Sequence, residues 1–138
     1  PLPSAYVSNS EQKGLNYLKE QPNDVVLTYP FEKTNQTSPK PLRNYETTAY
    51  VSAFSGKQIY LEDEMNVIIT GYDWEQRKKN MVKFFQTNDK IWARGFLLNN
   101  GIDYIYLVED QKLNYSLTDI GVERIFDQNK VKIYKVKK

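Results

Sequence analysis

Residues 101–110, GIDYIYLVED, contain the clearest strand pattern in the chain. Five of the six residues from Tyr104 to Glu109 are apolar or aromatic. Such a run is typical of a central strand that is covered on both of its faces. The segment before it, residues 89–101, has Asp89 as a cap, an apolar side and an Asn100-Gly101 end. It therefore predicts a helix that leads directly into the central strand.

The first part of the chain alternates in the same way between helices and strands. Ser10 is a plausible helix cap, and the helix that follows it ends before Pro22. The apolar run in residues 23–30 is bounded by turn residues, which indicates a buried strand. A short helix with small residues on one side ends at Gly56, and KQIYLED at residues 57–63 indicates a second strand.

The segment TGYDWEQRKKNMVKFF, residues 70–85, begins like a loop and ends like a packing helix. Gly71 permits a sharp turn, and Asp73 is positioned to cap the helix that follows. Met81 and Phe85 share one side of that helix, while most of its basic residues fall on the other. We expect an amphipathic helix that packs on a core from Asp73 onward, and the preceding TGY is the part that could contact a ligand.

The C-terminal segment VERIFDQNKVKIYKV, residues 122–136, predicts two strands joined in a hairpin. The expected fold is therefore α/β, a Rossmann-like sandwich with a mostly parallel central sheet and a C-terminal antiparallel β-hairpin at the edge. Alternate lysines at Lys130, Lys132 and Lys135 suit an edge strand that must not pair with another molecule. We expect one α/β domain over residues 10–138, with residues 1–9 a linker from a preceding segment because the sequence opens without Met.

Composition excludes several kinds of chemistry. The 138 residues contain no cysteine and no histidine, which excludes thiol nucleophiles, disulfides, Cys/His zinc sites and histidine acid–base catalysis. A net charge of +2 is too mild to predict nucleic-acid binding. The carboxylates of residues 62–64 could hold Ca²⁺ or Mg²⁺, but a solvated loop is the favoured interpretation, and we expect no metal and no cofactor.

The candidate ligand-binding residues come from a rule about open α/β sheets, in which ligands bind beyond the carboxyl ends of the strands. Trp74 and Arg77 lie at a loop-to-helix junction, where an aromatic face could stack on a sugar and a guanidinium could bind phosphate. The alternative is that Trp74 belongs to the core and that Arg77 forms a structural pair. The full set of candidates is Tyr29, Glu32, Glu62, Asp63, Tyr72, Trp74, Arg77 and Glu109.

The order of these motifs resembles the C-terminal domain that follows the transmembrane helices of bacterial and archaeal C-type, polyprenyl-phosphate-sugar dependent glycosyltransferase-like membrane proteins. The resemblance covers roughly residues 10–136. It departs from the pattern at Lys57, where arginine is usual, and at residues 62–64, where small residues are usual. The matching positions are Leu18, Asp24, Val25, residues 55–61, Arg77, Phe84, Phe85, residues 101–107, Phe126, Val131, Ile133, Tyr134 and Val136.

The resemblance implies a non-catalytic domain on the extracytoplasmic face of the cell membrane, because the catalytic acidic residue of such enzymes is expected in a loop outside this segment. The implied partners are the transmembrane part of the same polypeptide and a lipid-linked sugar or glycan acceptor, with no nucleic acid. Two alternatives remain open at this point. The chain could be a free-standing sugar- or nucleotide-binding module, or a purely structural, partner-docking domain.

Overall fold

The computed structural model describes residues 9–30, 51–60 and 74–138. Residues 51–55 are helical, and this helix ends at Gly56, whose φ of 69° is the left-handed conformation that a C-terminal glycine provides. The other elements, in chain order, are α1 (Asn9–Lys19), β1 (Val25–Thr28), β2 (Gln58–Ile59), α2 (Trp74–Gln86), α3 (Lys90–Asn99), β3 (Tyr104–Val108), α4 (Leu117–Ile120), β4 (Val122–Gln128) and β5 (Val131–Val136).

The five strands form one mixed sheet in the order β2-β1-β3-β5-β4. The pairs β1–β2 and β1–β3 are parallel, whereas β3–β5 and β4–β5 are antiparallel. The sequence prediction of an α/β fold with a C-terminal antiparallel hairpin is confirmed. The sheet is parallel on one side and antiparallel on the other, so parallel pairing is confirmed for three strands of the five.

The predicted role of the alternate lysines is wrong. Lys132 and Lys135 lie on β5, which is hydrogen-bonded to β3 on one side and to β4 on the other. Lys130 lies in the hairpin turn before β5. The edge strand on the antiparallel side of the described sheet is β4, which carries charged side chains and a bulge between Arg124 and Phe126. Both features discourage pairing with another strand, so the protection expected of an edge strand lies on β4 and not on β5.

Helices cover both faces of the sheet, as the apolar run of β3 predicts. All five residues of β3 are buried, and their side chains alternate between two clusters. Ile105 and Leu107 pack in the cluster formed with α2 and α3. Tyr104, Tyr106 and Val108 pack in the cluster formed with α1 and residues 51–55. The central strand therefore contributes to both halves of the core.

The helices α2 and α3 form the layer on one side of the sheet. Met81, Phe84 and Phe85 are the buried residues of α2, spaced so that they share one side of the helix. The start of α3 is fixed by Asp89, whose carboxylate accepts a hydrogen bond of 3.0 Å from the Trp92 backbone N–H. This cap confirms the prediction made from the sequence. None of the helices in the described parts of the chain is both long and apolar enough to cross a membrane.

Candidate functional site

The strand order predicts a ligand-binding crevice at the carboxyl ends of β1 and β3. In the sheet, β2 lies on one side of β1 and β3 lies on the other. The connection after β1 includes residues 51–55, which pack on the α1 side, whereas the segment after β3 packs on the side of α2 and α3. Connections that leave for opposite faces open a crevice between the two strand ends, which is where ligands bind in sheets of this kind.

Tyr29 lines the β1 side of this crevice. It follows β1 directly and is half-buried, with its ring packed edge-on against Phe85 at 4.9 Å between ring centroids. Burial raises the pKa of the Tyr29 hydroxyl, and the negative charge of Asp110 raises it further. The phenol therefore stays neutral at physiological pH and can both donate and accept a hydrogen bond.

Glu109 lines the β3 side and has an unusual backbone conformation. Its φ of 54° is left-handed, although it is not a glycine. Its N–H donates to the Lys130 carbonyl over 2.8 Å. The Gln111 N–H donates to the Val108 carbonyl at 3.0 Å, and the Gln111 side chain accepts from the Val108 N–H at 2.9 Å. These bonds fix the turn, so the exposed side chains of Glu109 and Asp110 leave the sheet at a defined place.

Asp110 is a residue that the sequence prediction missed. The candidate set stopped at Glu109, the last residue of the apolar run, although Asp110 follows it at the same strand end. Its negative charge raises the pKa of Tyr29, so the residues that follow β1 and β3 interact electrostatically. The signal that could have identified it was present in the sequence, since two adjacent carboxylates follow the strand.

Arg77 lies at the carboxyl end of β2, where it contacts Tyr60. Its guanidinium lies 4.2 Å from the centre of the Tyr60 ring, and its Nη2 donates to the Tyr60 carbonyl. Burial raises the pKa of Tyr60, and the charge of Arg77 partly offsets that rise. Both contacts are made within the chain, and they favour the alternative that Arg77 forms a structural pair.

A series of aromatic rings in the core beside α2 and α3 connects Tyr29 with Tyr60. Phe85 contacts Phe84 at 5.0 Å between ring centroids, Phe84 contacts Phe96 at 5.4 Å, and Phe96 contacts Tyr60 at 5.4 Å. The Tyr29 ring joins the other end of the series through Phe85. A close-packed series of rings is rigid, because each ring is held by its neighbours, so it fixes the positions of Tyr29 and Tyr60.

The other candidates have a different status. Glu32, Glu62, Asp63 and Tyr72 lie outside the described residues. Trp74 is the first residue of α2, and its side chain lies outside the description. Of the eight candidates, the structure places Tyr29 and Glu109 at the carboxyl ends of the adjacent strands β1 and β3, and it places Arg77 at the end of β2.

Two other kinds of site were sought in the described segments. No group of three or more acidic, cysteine or histidine side chains that could hold a metal ion occurs among residues 9–30, 51–60 and 74–138. A shallow depression of about 360 Å³ lies on the outward side of α2 and is lined by Glu75, Lys78, Lys79 and Val82. It lies on the outer face of the helix layer and is separate from the crevice.

Among solved structures, the following one resembles this chain over nearly its whole length. It is the crystal structure of the C-terminal globular domain of an oligosaccharyltransferase from Archaeoglobus fulgidus. The TM-score is 0.58 at 14% sequence identity, and the match covers 94% of this chain and 98% of the archaeal one. At this identity the similarity shows a shared fold. No protein-family model matches the chain, and no curated protein sequence matches it.

Proposed function

We propose that this chain is a non-catalytic, extracytoplasmic domain of a membrane protein that works in glycosylation. In this proposal it helps that protein to recognise a glycan acceptor or a lipid-linked sugar donor. The observation that carries the proposal is the fold shared with the C-terminal globular domain of an archaeal oligosaccharyltransferase, over 94% of this chain. The transmembrane part of the same polypeptide is the proposed partner.

The crevice between β1 and β3 is the proposed recognition site. A sugar presents several hydroxyl groups, and carboxylates accept hydrogen bonds from them. A neutral phenol can act as hydrogen-bond donor or acceptor. Tyr29, Glu109 and Asp110 supply these groups at the end of the parallel half of the sheet. Trp74 and Arg77 remain proposals for the neighbouring strand end, as do the undescribed candidates Glu32, Glu62, Asp63 and Tyr72.

The absence of histidine and cysteine supports a recognition role for this chain over a catalytic one. Carboxylates alone can catalyse glycosyl chemistry, but they do so as a pair that flanks one glycosidic bond. Glu109 and Asp110 are adjacent in one turn. They are better suited to holding neighbouring hydroxyls than to acting from opposite sides of a sugar.

An NMR titration of backbone amide shifts tests the proposed site. The ligands are neutral sugars, sugar phosphates, a nucleotide and a short-chain prenyl phosphate, added to the 138-residue chain. We expect shifts localised at Tyr29, Glu109 and Asp110, and we expect Asp110→Asn to weaken them. The matched control is Glu123→Gln on the edge strand β4, an exposed acidic residue away from the crevice, which should leave the titration unchanged.

The same titration separates the proposal from its alternatives. Shifts with free sugars or nucleotides at micromolar concentration would favour a free-standing binding module, because such a module needs no partner to bind its ligand. No shifts at millimolar ligand would contradict recognition at this crevice. The intramolecular contacts of Arg77 favour a structural, partner-docking domain in that case.

A further inference from the structure

The layer formed by α2 and α3 carries a net positive charge. Residues 74–99 contain six lysines and arginines and two acidic residues, whereas the net charge of the whole chain is only +2. The rest of the chain is therefore net negative. Arg77 and Arg94 are directed at backbone carbonyls, of Tyr60 and of residues 120, 121 and 137 respectively. The outward charge of the layer therefore comes from its lysines.

Three of these lysines are well exposed to solvent. Lys79 lies on the outward side of α2, beside the shallow depression. Lys83 lies one turn further along, with its ammonium 4.4 Å from the centre of the Trp92 ring on α3. Lys90 begins α3 and lies 3.9 Å from the Asp119 carboxylate, with 61% of its side chain exposed. A pair this exposed is weak, so Lys90 keeps most of its attraction for another anion.

Two apolar side chains project from the same layer. Ile91 is 83% exposed and Leu98 is 42% exposed, and they are the exposed large hydrophobic residues of the described chain. They are seven residues apart on α3, so they share one face. The buried residues Ala93, Phe96 and Leu97 occupy the opposite face of that helix. Ile91 and Leu98 therefore point away from the sheet.

We infer that this surface, which we call the basic-apolar face (Lys79, Lys83, Lys90, Ile91 and Leu98), lies against an anionic lipid surface. The lysines would contact headgroup phosphates, while Ile91 and Leu98 enter the boundary between headgroups and acyl chains. Charge complementarity selects this occupant. Two separate apolar side chains among lysines make too small an apolar patch for a stable protein interface, but they suit shallow insertion beside anionic headgroups.

The inference rests on the basic-apolar face alone and does not depend on the proposed glycosylation role. It concerns a different surface from the crevice between β1 and β3, because Lys79 and Ile91 lie on the outward side of the helix layer. A negative titration with sugars would therefore leave it standing. Failure to bind vesicles would in turn leave the proposed recognition site standing.

Co-sedimentation with lipid vesicles tests the charged part of this inference. Wild type should bind vesicles made of phosphatidylglycerol and phosphatidylcholine in equal parts, and should bind phosphatidylcholine alone much less, with binding that falls as salt rises. The double variant Lys79→Gln/Lys83→Gln should lose about twenty-five-fold in affinity, since each lysine near an anionic surface contributes about fivefold. The matched control is Lys13→Gln/Lys19→Gln, two exposed lysines of α1 on the opposite layer, which should bind like wild type.

A second variant tests the apolar part without any change of charge. Ile91→Ser should weaken binding about tenfold, and the fold should tolerate it because the side chain is already exposed. Equal loss in both lysine pairs would mean that only net charge matters, which overturns the assignment to this face. Wild-type affinity for Ile91→Ser overturns the insertion. Absence of wild-type binding to the anionic vesicles overturns the lipid contact and leaves an acidic protein as the partner to seek.

Discussion

Gly121 has an environment that makes a sharp prediction about stability. Its φ is 68°, and a Cβ added there would lie 2.5 Å from Arg94 Nη1 and 2.7 Å from Arg94 Cζ. Moving the Arg94 side chain aside would break its hydrogen bonds. Its Nη1 donates to the carbonyls of Ile120 and Gly121 at 3.2 and 3.1 Å, and its Nη2 donates to the Lys137 carbonyl. The Gly121→Ala variant must therefore both strain the backbone and displace this guanidinium.

The magnitude follows from these two effects. A left-handed alanine costs about 1 kcal/mol relative to glycine. Losing the guanidinium contacts should cost about 2 kcal/mol more, since hydrogen bonds to a charged group contribute about 1.5–3 kcal/mol each and water can replace part of them. We expect Gly121→Ala to lower the free energy of unfolding by about 3 kcal/mol in urea titrations, which is a large fraction of the stability of a domain.

Gly101 provides the matched control. Its φ is 62°, and nothing lies within 4 Å of an added Cβ, so Gly101→Ala should cost only the backbone strain of about 1 kcal/mol. In an Arg94→Ala background the added Cβ of Gly121→Ala meets no guanidinium, so its cost should fall to the same value. Equal losses for Gly121→Ala and Gly101→Ala in the wild-type background would refute this reasoning.

Three further predictions concern other parts of the fold. Lys130→Gly should raise the free energy of unfolding by about 1 kcal/mol, because Asn129 and Lys130 both have positive φ in a two-residue hairpin turn that favours Asn-Gly. A lower free energy of unfolding in chemical denaturation would contradict this turn conformation. Gly14→Ala should lower the free energy of unfolding by about 2 kcal/mol, because its Cβ would lie 2.6 Å from Val131 Cγ1. Gly95→Ala, with only one atom nearby at 3.9 Å, should raise the free energy of unfolding by about 1 kcal/mol. The reverse order of the two variants would contradict the packing of α1 on β5. Burial raises the pKa above 10.0 for the hydroxyls of Tyr29, Tyr60, Tyr104, Tyr115 and Tyr134. Their contribution to the free energy of unfolding should therefore be complete below about pH 10 and should fall as the pH rises through the folded-state pKa values. Denaturation measured across that range checks this, and unchanged stability would contradict the burial of these hydroxyls.

The elements of the fold that depend on local sequence could be predicted. The strand β3 follows from its apolar run, α3 follows from the Asp89 cap, and the hairpin follows from the turn between β4 and β5. Strand order could not be read in the same way, because it depends on pairing between segments far apart in the chain. The lysines of β5 look like an edge pattern, but β4 returns to pair outside them.

The same distinction applies to the candidate site. Strand ends are local features, so Tyr29 and Glu109 could be chosen from the sequence with the rule that ligands bind at carboxyl ends. The coupling of Tyr29 with Asp110 required the parallel pairing of β1 with β3, which no local pattern contains. The contact of Arg77 with Tyr60 likewise depends on how α2 crosses β2. Such contacts between residues far apart in the sequence are decided by tertiary packing.

The central claim is that this chain is part of an integral membrane protein, and the native polypeptide tests it directly. An antibody raised against the 138-residue chain should detect, in cells of the source organism, a band much larger than the chain itself. That band should stay with the membranes after an alkaline carbonate wash, which removes proteins held only by surface contacts such as those of the basic-apolar face. A band of about the size of the 138-residue chain, released by the wash, would contradict the account.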